Sequence, residues 1–390
     1  MSLLTLNERV LKLGSSATLA MKARAKALTD RGISVMTLSA GEPDFDTPQV
    51  IKEAAKKALD KGISRYTGVR GSDDLIHAMR IKFERDQKVR YDASQVLSTV
   101  GAKSAISQAI DALIGAGDEV IVFSPYWVSY TELISLAGGT PVLVHASKEQ
   151  GYVPTPEQLR AAITPRTKAI ILNSPNNPSG AVFSEAALRG LMDVVKDSKI
   201  WVISDEIYEH LLFDNVKHVS PASFSDDAYS RTLVITGASK AYAMTGWRVG
   251  VVGGPKELVG AMVKLQEQRY TCIATVAQAA CAYALLEPPE VKAEIEKMRQ
   301  AYEMRRNKTL EIVASMPGVT CFKPQGAFYV LLDFSSITKD DQVLADRLLD
   351  EAHVALVAGS AFGVPGTVRM SLASSMETIT EGLTRIRKWL

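Results

Sequence analysis

From Val96 onward the chain alternates short, continuous apolar runs with stretches of helical periodicity, and that alternation narrows the folds open to it. Val96–Val100, Asp118–Ser124, Thr140–His145, Lys168–Asn173, Ile200–Asp205, Thr232–Thr236 and Arg248–Gly254 are the strand-like runs. Strands that are apolar at successive positions are covered on both faces. Helices between them supply the cover, so the reading is α/β, with a mostly parallel sheet flanked by helices. At 390 residues two domains are expected. Composition shifts at Glu287-Pro288-Pro289, and the remainder, 288–390, reads as a smaller α+β domain. Residues 1–30 read as an arm with helical character, interrupted at Gly14-Ser15-Ser16-Ala17-Thr18 and resuming over Leu19–Leu28.

The residues that carry chemistry stand at the ends of those strands. After Thr232–Thr236 come Gly237, Ala238, Ser239 and Lys240, with Arg248 a short loop later. A lysine just past a buried strand loses solvation, which lowers its pKa and frees the amine to attack a carbonyl. Ser239 and Arg248 suit a phosphate, the arginine by a planar two-pronged contact. Amine plus phosphate cradle is what pyridoxal 5'-phosphate (PLP) requires; a loop lysine on the surface is the plain alternative. Ile200–Ser204 leads to Asp205, a carboxylate deep enough to need a cation or several donors. A pyridinium N–H would serve, and Tyr208 would share its side of a helical turn; a helix N-cap is the other reading of Asp205. Lys168–Asn173 runs into Ser-Pro-Asn-Asn-Pro-Ser-Gly180, more rigid residues and amides than a turn needs, with Asn177 the expected donor.

Other positions are ambiguous taken singly. Gly101-Ala102-Lys103, between a strand and a helix, could bind an anion through backbone N–H groups, although most such turns bind nothing. Trp127 could stack on a planar ring or fill the core. Gly41 permits close backbone approach or simply makes a turn. Tyr66 reads as a packed aromatic. Arg369 lies inside an apolar strand, Thr367–Ser371, and needs an anion there, from within the protein or from a substrate.

Several classes are disfavoured. The net charge of +2 gives no argument for nucleic-acid or membrane surfaces. Neither GxGxxG nor GxxxxGK[ST] occurs at the Gly101 turn, against dinucleotide and Walker-type sites. Cys272, Cys281 and Cys321 form no CxxC pair, and the five histidines show no HxxxH-type spacing, so no metal is expected. The thiols read as reduced ones in a cytoplasmic enzyme. No apolar run has transmembrane length, and the opening residues lack the order of a signal peptide.

Together, SAGEPDFDTP (39–48), SPYWVSY (124–130), NSPNNPSG (173–180), SDEIYEHL (204–211), GASKAYAMTGWRVG (237–250), GAFYVL (326–331) and VRMSLA (368–373) resemble the class I PLP-dependent aminotransferases. The likeness is strongest to the bacterial-type aspartate aminotransferase subgroup, some members of which also use prephenate. It implies PLP fold type I, with a large PLP-binding domain over 49–287, a small domain over 288–390, and 31–48 joining the small domain. It implies transamination between an L-amino acid, aspartate foremost, and 2-oxoglutarate by a ping-pong route. Lys240 would form a Schiff base with PLP. Asp205 would pair with the pyridine nitrogen, and Asn177 and Tyr208 with the phenolic oxygen. Trp127 would stack on the ring. Ser239, Arg248 and the backbone of Gly101, Ala102 and Lys103 would hold the phosphate, with Tyr66 reaching the phosphate of a second subunit in a homodimer. Arg369 would clamp the substrate α-carboxylate beside Gly41 and Asn177. Lys103, Ser16 and Thr18 match positions near the distal carboxylate of a dicarboxylic substrate. Arg269, where the subgroup often has a small polar residue, would meet that carboxylate or pair at the dimer surface. Alanine, prephenate or aromatic transamination, or a β-lyase, are alternatives on the same fold.

Overall fold

The structure is a computed structural model that describes residues 6–11, 13–14 and 16–390. Ser15 lies outside the described residues, and the interruption is shorter than expected, because Ala17 and Thr18 already open the helix Ala17–Asp30. Seven strands form one sheet: β1 (Val96–Val100), β2 (Glu119–Ser124), β3 (Thr140–His145), β4 (Thr167–Asn173), β5 (Trp201–Asp205), β6 (Thr232–Gly237) and β7 (Val249–Gly253). Their order is β1-β7-β6-β5-β4-β2-β3. All run parallel except β7, which is antiparallel to both β1 and β6. The α/β architecture expected from the alternation is therefore present as a mixed, mostly parallel sheet between helices.

The continuous apolar runs have the physical cause expected of them. Alternate residues of a strand point to opposite faces. In β4, Ala169 and Ile171 enter one apolar layer while Ile170 and Leu172 enter another. In β6, Leu233 and Ile235 face one layer and Val234 the other. Each fully buried aliphatic side chain contributes roughly 1.5–3 kcal/mol; neither face of these inner strands is left for water, whereas the edge strand β3 is partly exposed.

A second, four-stranded antiparallel sheet lies in the C-terminal part. Its strands are β8 (Thr320–Cys321), β9 (Tyr329–Asp333), β10 (Val357–Ala358) and β11 (Thr367–Ser371), ordered β10-β11-β9-β8. Met36–Thr37 pairs in parallel with Val354–Ala355, so the segment after the arm is stitched to this part of the chain. The run 354–357, which reads as one strand, is divided: Val354–Ala355 pairs with Met36–Thr37, and Val357–Ala358 joins β11. The helix Ala17–Asp30 also packs here, through Met21 and Ala25 in the same apolar cluster as Val330, Leu348 and Leu383. Arg24 on its outer side pairs with Asp346 and Asp350.

Candidate active site

Every strand end that reads as chemical opens at one edge of the large sheet. The parallel strands β1, β2, β4, β5 and β6 finish there, and the antiparallel β7 begins there. Ligands in open α/β sheets bind at that edge. A cavity of about 450 Å³ lies over it, lined by Gly41, Ala102, Lys103, Trp127, Asn177, Asp205, Tyr208, Ser239, Lys240, Arg248 and Arg369, with Ser16 and Thr18 at the start of the helix Ala17–Asp30.

Lys240 is placed by the connection between β6 and β7. The two strands pair as far as Gly237 and Gly250, and Ala238 N–H donates to Val249 O, so residues 239–248 project over the sheet edge. Lys240 Nζ donates to Gly41 O at 2.6 Å. Burial pulls the amine down to a pKa of about 8; Arg369 and Arg248 push the same way, while Glu42 and Asp205 oppose. Ser239 is buried beside it.

Asp205 closes β5 and is 4% exposed. Its Oδ2 accepts from Tyr130 Oη at 2.6 Å and its Oδ1 from Ile207 N–H at 3.3 Å. Burial raises the carboxyl to about 6 against those two bonds. Residues 206–211 form turns, so no helix follows for Asp205 to cap. Tyr208 is buried and shares a 3.0 Å hydrogen bond with Tyr329.

The phosphate-like cradle is steric as well as electrostatic. Gly101 has φ +76, and a Cβ there would stand 2.5 Å from Arg248 Nη2. Only glycine lets the guanidinium lie against the first turn of the helix Gly101–Leu113. Arg248 itself is left-handed, at φ 58, and is held by Thr245 O at 2.9 Å. Its side chain has no carboxylate partner among the described residues. Lys103 on the same turn stands 4.9 Å from the Trp127 ring centroid, its pKa lowered by burial and by Arg248.

Arg369 sits mid-strand in β11, paired with Leu331 and Val357, and is 2% exposed. Nη1 donates to Asn177 Oδ1 at 3.1 Å and Nη2 to Ser39 O at 3.0 Å. Its carbon lies 4.4 Å from the Tyr329 ring centroid and 4.8 Å from that of Phe362. No carboxylate among the described residues meets it, and Nε has no partner. A buried cation with an idle donor, facing a cavity, is a receptor for an anion. Asn177 gives its carbonyl end to Arg369, which leaves the amide N–H₂ for a ligand.

Gly101 abuts the cavity without lining it. Tyr66 is 86% exposed and lies away from it. Arg269 is also away, paired with Asp111 at 2.6 Å. Sequence reasoning missed Tyr130, Tyr329, Asn173 and Ser39, which all line the cavity. Tyr130 and Tyr329 fall inside quoted motifs, but only their hydrogen bonds to Asp205 and Tyr208 reveal a task. Histidine spacing also gave no hint of two partly buried clusters, Asp86/Glu209/His210 and Glu206/Glu209/His218. The ammonium of Lys82 already occupies the first, 2.7 Å from Glu209 and 3.2 Å from Asp86.

Comparison with known proteins finds relatives over nearly the whole chain. A family model described as aminotransferase class I and II matches residues 33–386. An aspartate/prephenate aminotransferase of Thermus thermophilus is 43% identical over 385 residues, covering 99% of this chain and 98% of the relative. An aspartate aminotransferase of Geobacillus stearothermophilus is 43% identical over 392 residues, with 99% and 98% covered. Among solved structures, Thermus thermophilus aspartate aminotransferase with maleate superimposes with a TM-score of 0.96 at 43% identity, covering all of both chains.

Proposed function

Since the chain belongs to the class I and II aminotransferases, we propose that it moves the amino group of L-aspartate to 2-oxoglutarate in two ping-pong half-reactions. The enzyme is a transaminase and PLP is its cofactor. Aspartate as donor is supported by the names of its relatives, and prephenate as an alternative acceptor by the name of the Thermus one.

The residues present fit the cofactor. The Arg248 guanidinium lies without a carboxylate in a cradle that a Cβ at Gly101 would fill, which suits a phosphate. Ser239 and the N–H groups of Ala102 and Lys103 add neutral donors at a helix N-terminus. Asp205 would pair with the ring nitrogen, Asn177 and Tyr208 with the phenolic oxygen, and Trp127 would cover the ring face. When bound, the cofactor accepts the electron pair released as the substrate loses its α-proton.

The chain's own part is to hold, orient and move a proton. Arg369 grips the substrate α-carboxylate, which fixes the α-hydrogen relative to Lys240. Lys240 takes that proton and returns it, a task suited to an amine whose pKa has fallen to about 8. Lys103, with Ser16 and Thr18 across the cavity, would receive the distal carboxylate of a dicarboxylic substrate. We read Arg269 as a surface pair with Asp111.

A homodimer completes the site in this reading. Tyr66 projects outward, and Leu6, Val10 and Leu11 of the arm are 71%, 53% and 63% exposed, as a docking segment would be. A cytoplasmic setting fits the three free cysteines. Among the described residues no helix is long and apolar enough to cross a membrane.

The observation that carries the substrate class is Arg369: buried, without a carboxylate, its Nε idle, in the cavity that also holds Lys240 and Asp205. The experiment is a half-reaction panel. PLP-loaded protein is mixed with single amino acids and cofactor absorbance is followed. Aspartate and glutamate should convert the cofactor fastest; indifference to both would remove the substrate assignment.

A further inference from the structure

We propose that Tyr130 is a positioning residue for this reaction: its hydroxyl keeps the Asp205 carboxylate ionised and aimed at the cofactor's ring nitrogen. The inference rests on the reading above, in which Asp205 meets that nitrogen. Tyr130 belongs to the helix Ser129–Leu136 and is 1% exposed. Its 2.6 Å bond to Asp205 Oδ2 is the one hydrogen bond of that hydroxyl among the described residues. An ionised carboxylate has no proton to give, so the phenol donates.

The surroundings make the two groups dependent on each other. Tyr130 is packed in an apolar layer with Val122, Ile171 and Ile203, and Asp205 is the acceptor its hydroxyl meets among the described residues. Its ring meets Trp127 edge-on, with centroids 5.4 Å apart and planes at 85°. Its backbone N–H donates to Trp127 O at 3.0 Å. One turn of chain thus carries both the ring-face tryptophan and the group that orients the acid at the ring's far edge.

The groups facing Asp205 divide by sign. Burial and the neighbouring Glu206 favour the neutral acid; Tyr130, the Ile207 N–H and the Lys240 ammonium favour the carboxylate. Tyr208 faces it as a neutral phenol, its own ionisation suppressed by burial. Among the described residues only Tyr130 and Ile207 donate hydrogen bonds to the carboxylate oxygens, and Ile207 does so through its backbone. Tyr130 is therefore the side chain that holds the charge. An Asp205 that slipped to its neutral form would no longer keep a ring nitrogen protonated.

Tyr130→Phe tests this, because it keeps the ring against Trp127 and removes only the hydroxyl. Infrared difference spectra of ¹³C-aspartate-labelled, cofactor-free protein against its Asp205→Asn counterpart would follow the protonation of Asp205 alone. In Y130F the midpoint should rise by about one pH unit, as expected for loss of a hydrogen bond to a charged group. The Kd for PLP near pH 7.5 should rise about five- to tenfold. Weaker PLP binding with an unmoved midpoint would mean a merely structural role and overturn the proposal, as would no change in either. Difluorotyrosine at position 130, a stronger donor of nearly the same shape, should move the midpoint down; it decides the matter if Y130F does not fold. Failure of the unsubstituted protein to bind PLP would sink the site reading and this inference with it. Binding with an unmoved midpoint sinks this inference alone.

Discussion

At the scale of single residues, the site is built from charges that the surroundings make uncomfortable. Lys240 and Asp205 are each shifted toward neutrality by burial. Lys240→Ala should lower turnover by about 10⁴-fold or more, with the cofactor's Schiff-base absorbance lost as well; retained turnover would contradict its role. Arg369→Gln should lower kcat/KM by about 10²–10³-fold, mostly through KM, for every amino acid tried. Asp205 gives a stability prediction whose sign is fixed by linkage. Its carboxyl is raised from 3.8 to about 6 on folding, so the folded state holds the proton more tightly. The protein without cofactor therefore loses stability as pH rises from about 4 through 6. Asp205→Asn should be more stable than the unsubstituted protein by about 1–3 kcal/mol above pH 7 and show no advantage below pH 4. Denaturant unfolding at both pH values would show it. The same variant should bind PLP more weakly, which separates stability from function.

Among elements, the connection between β6 and β7 does most to assemble the site, since it brings both Lys240 and Arg248 to one edge. Gly101→Ala tests the fit of that loop against the neighbouring helix. The added Cβ collides with the Arg248 guanidinium and the residue must hold a left-handed φ. PLP affinity should fall at least about tenfold, with a stability loss of about 1–2 kcal/mol, measured by cofactor titration and unfolding. The inner strands of the large sheet were legible because burial on both faces leaves mostly apolar runs, whereas the edge strand β3 is partly exposed. Lys240 and Asp205 were legible because each ends such a run. The split of 354–358 between two sheets was not, because β-branched and small residues read alike in both. Tyr130 was hidden for a related reason: on a buried helix face, a tyrosine that packs and a tyrosine that donates have the same sequence signature, and only the position of β5 distinguishes them. The Asp86/Glu209/His210 cluster joins residues more than 100 positions apart, beyond the reach of any spacing rule, whereas Glu206/Glu209/His218 is local in sequence but follows no HxxxH pattern.

Across the whole molecule, two sheets that fold around separate cores meet at the cavity. The large sheet brings Lys240, Asp205 and Asn177; the C-terminal sheet brings Arg369. Residues near the N-terminus close the remaining side, while Tyr66 stands exposed away from the cavity. If two copies share sites, Tyr66→Ala and Lys240→Ala should complement each other when subunits are mixed. Each mixed dimer would regain one intact site, so activity should return to about a quarter of the unsubstituted level. Absence of recovery in a verified mixture would argue for self-contained sites. The bond between Arg369 and Asn177 has a further consequence. The guanidinium is already fixed, by the carbonyl of Ser39 on one prong and an amide from the other sheet on the second, before anything arrives. Its freedom was surrendered when the chain folded, so no newcomer has to tame it. If Arg369 takes the substrate α-carboxylate as proposed, loosening that anchorage would weaken the grip on all amino acids by a common factor and leave their ranking untouched, which makes strength of capture and choice of side chain separately adjustable.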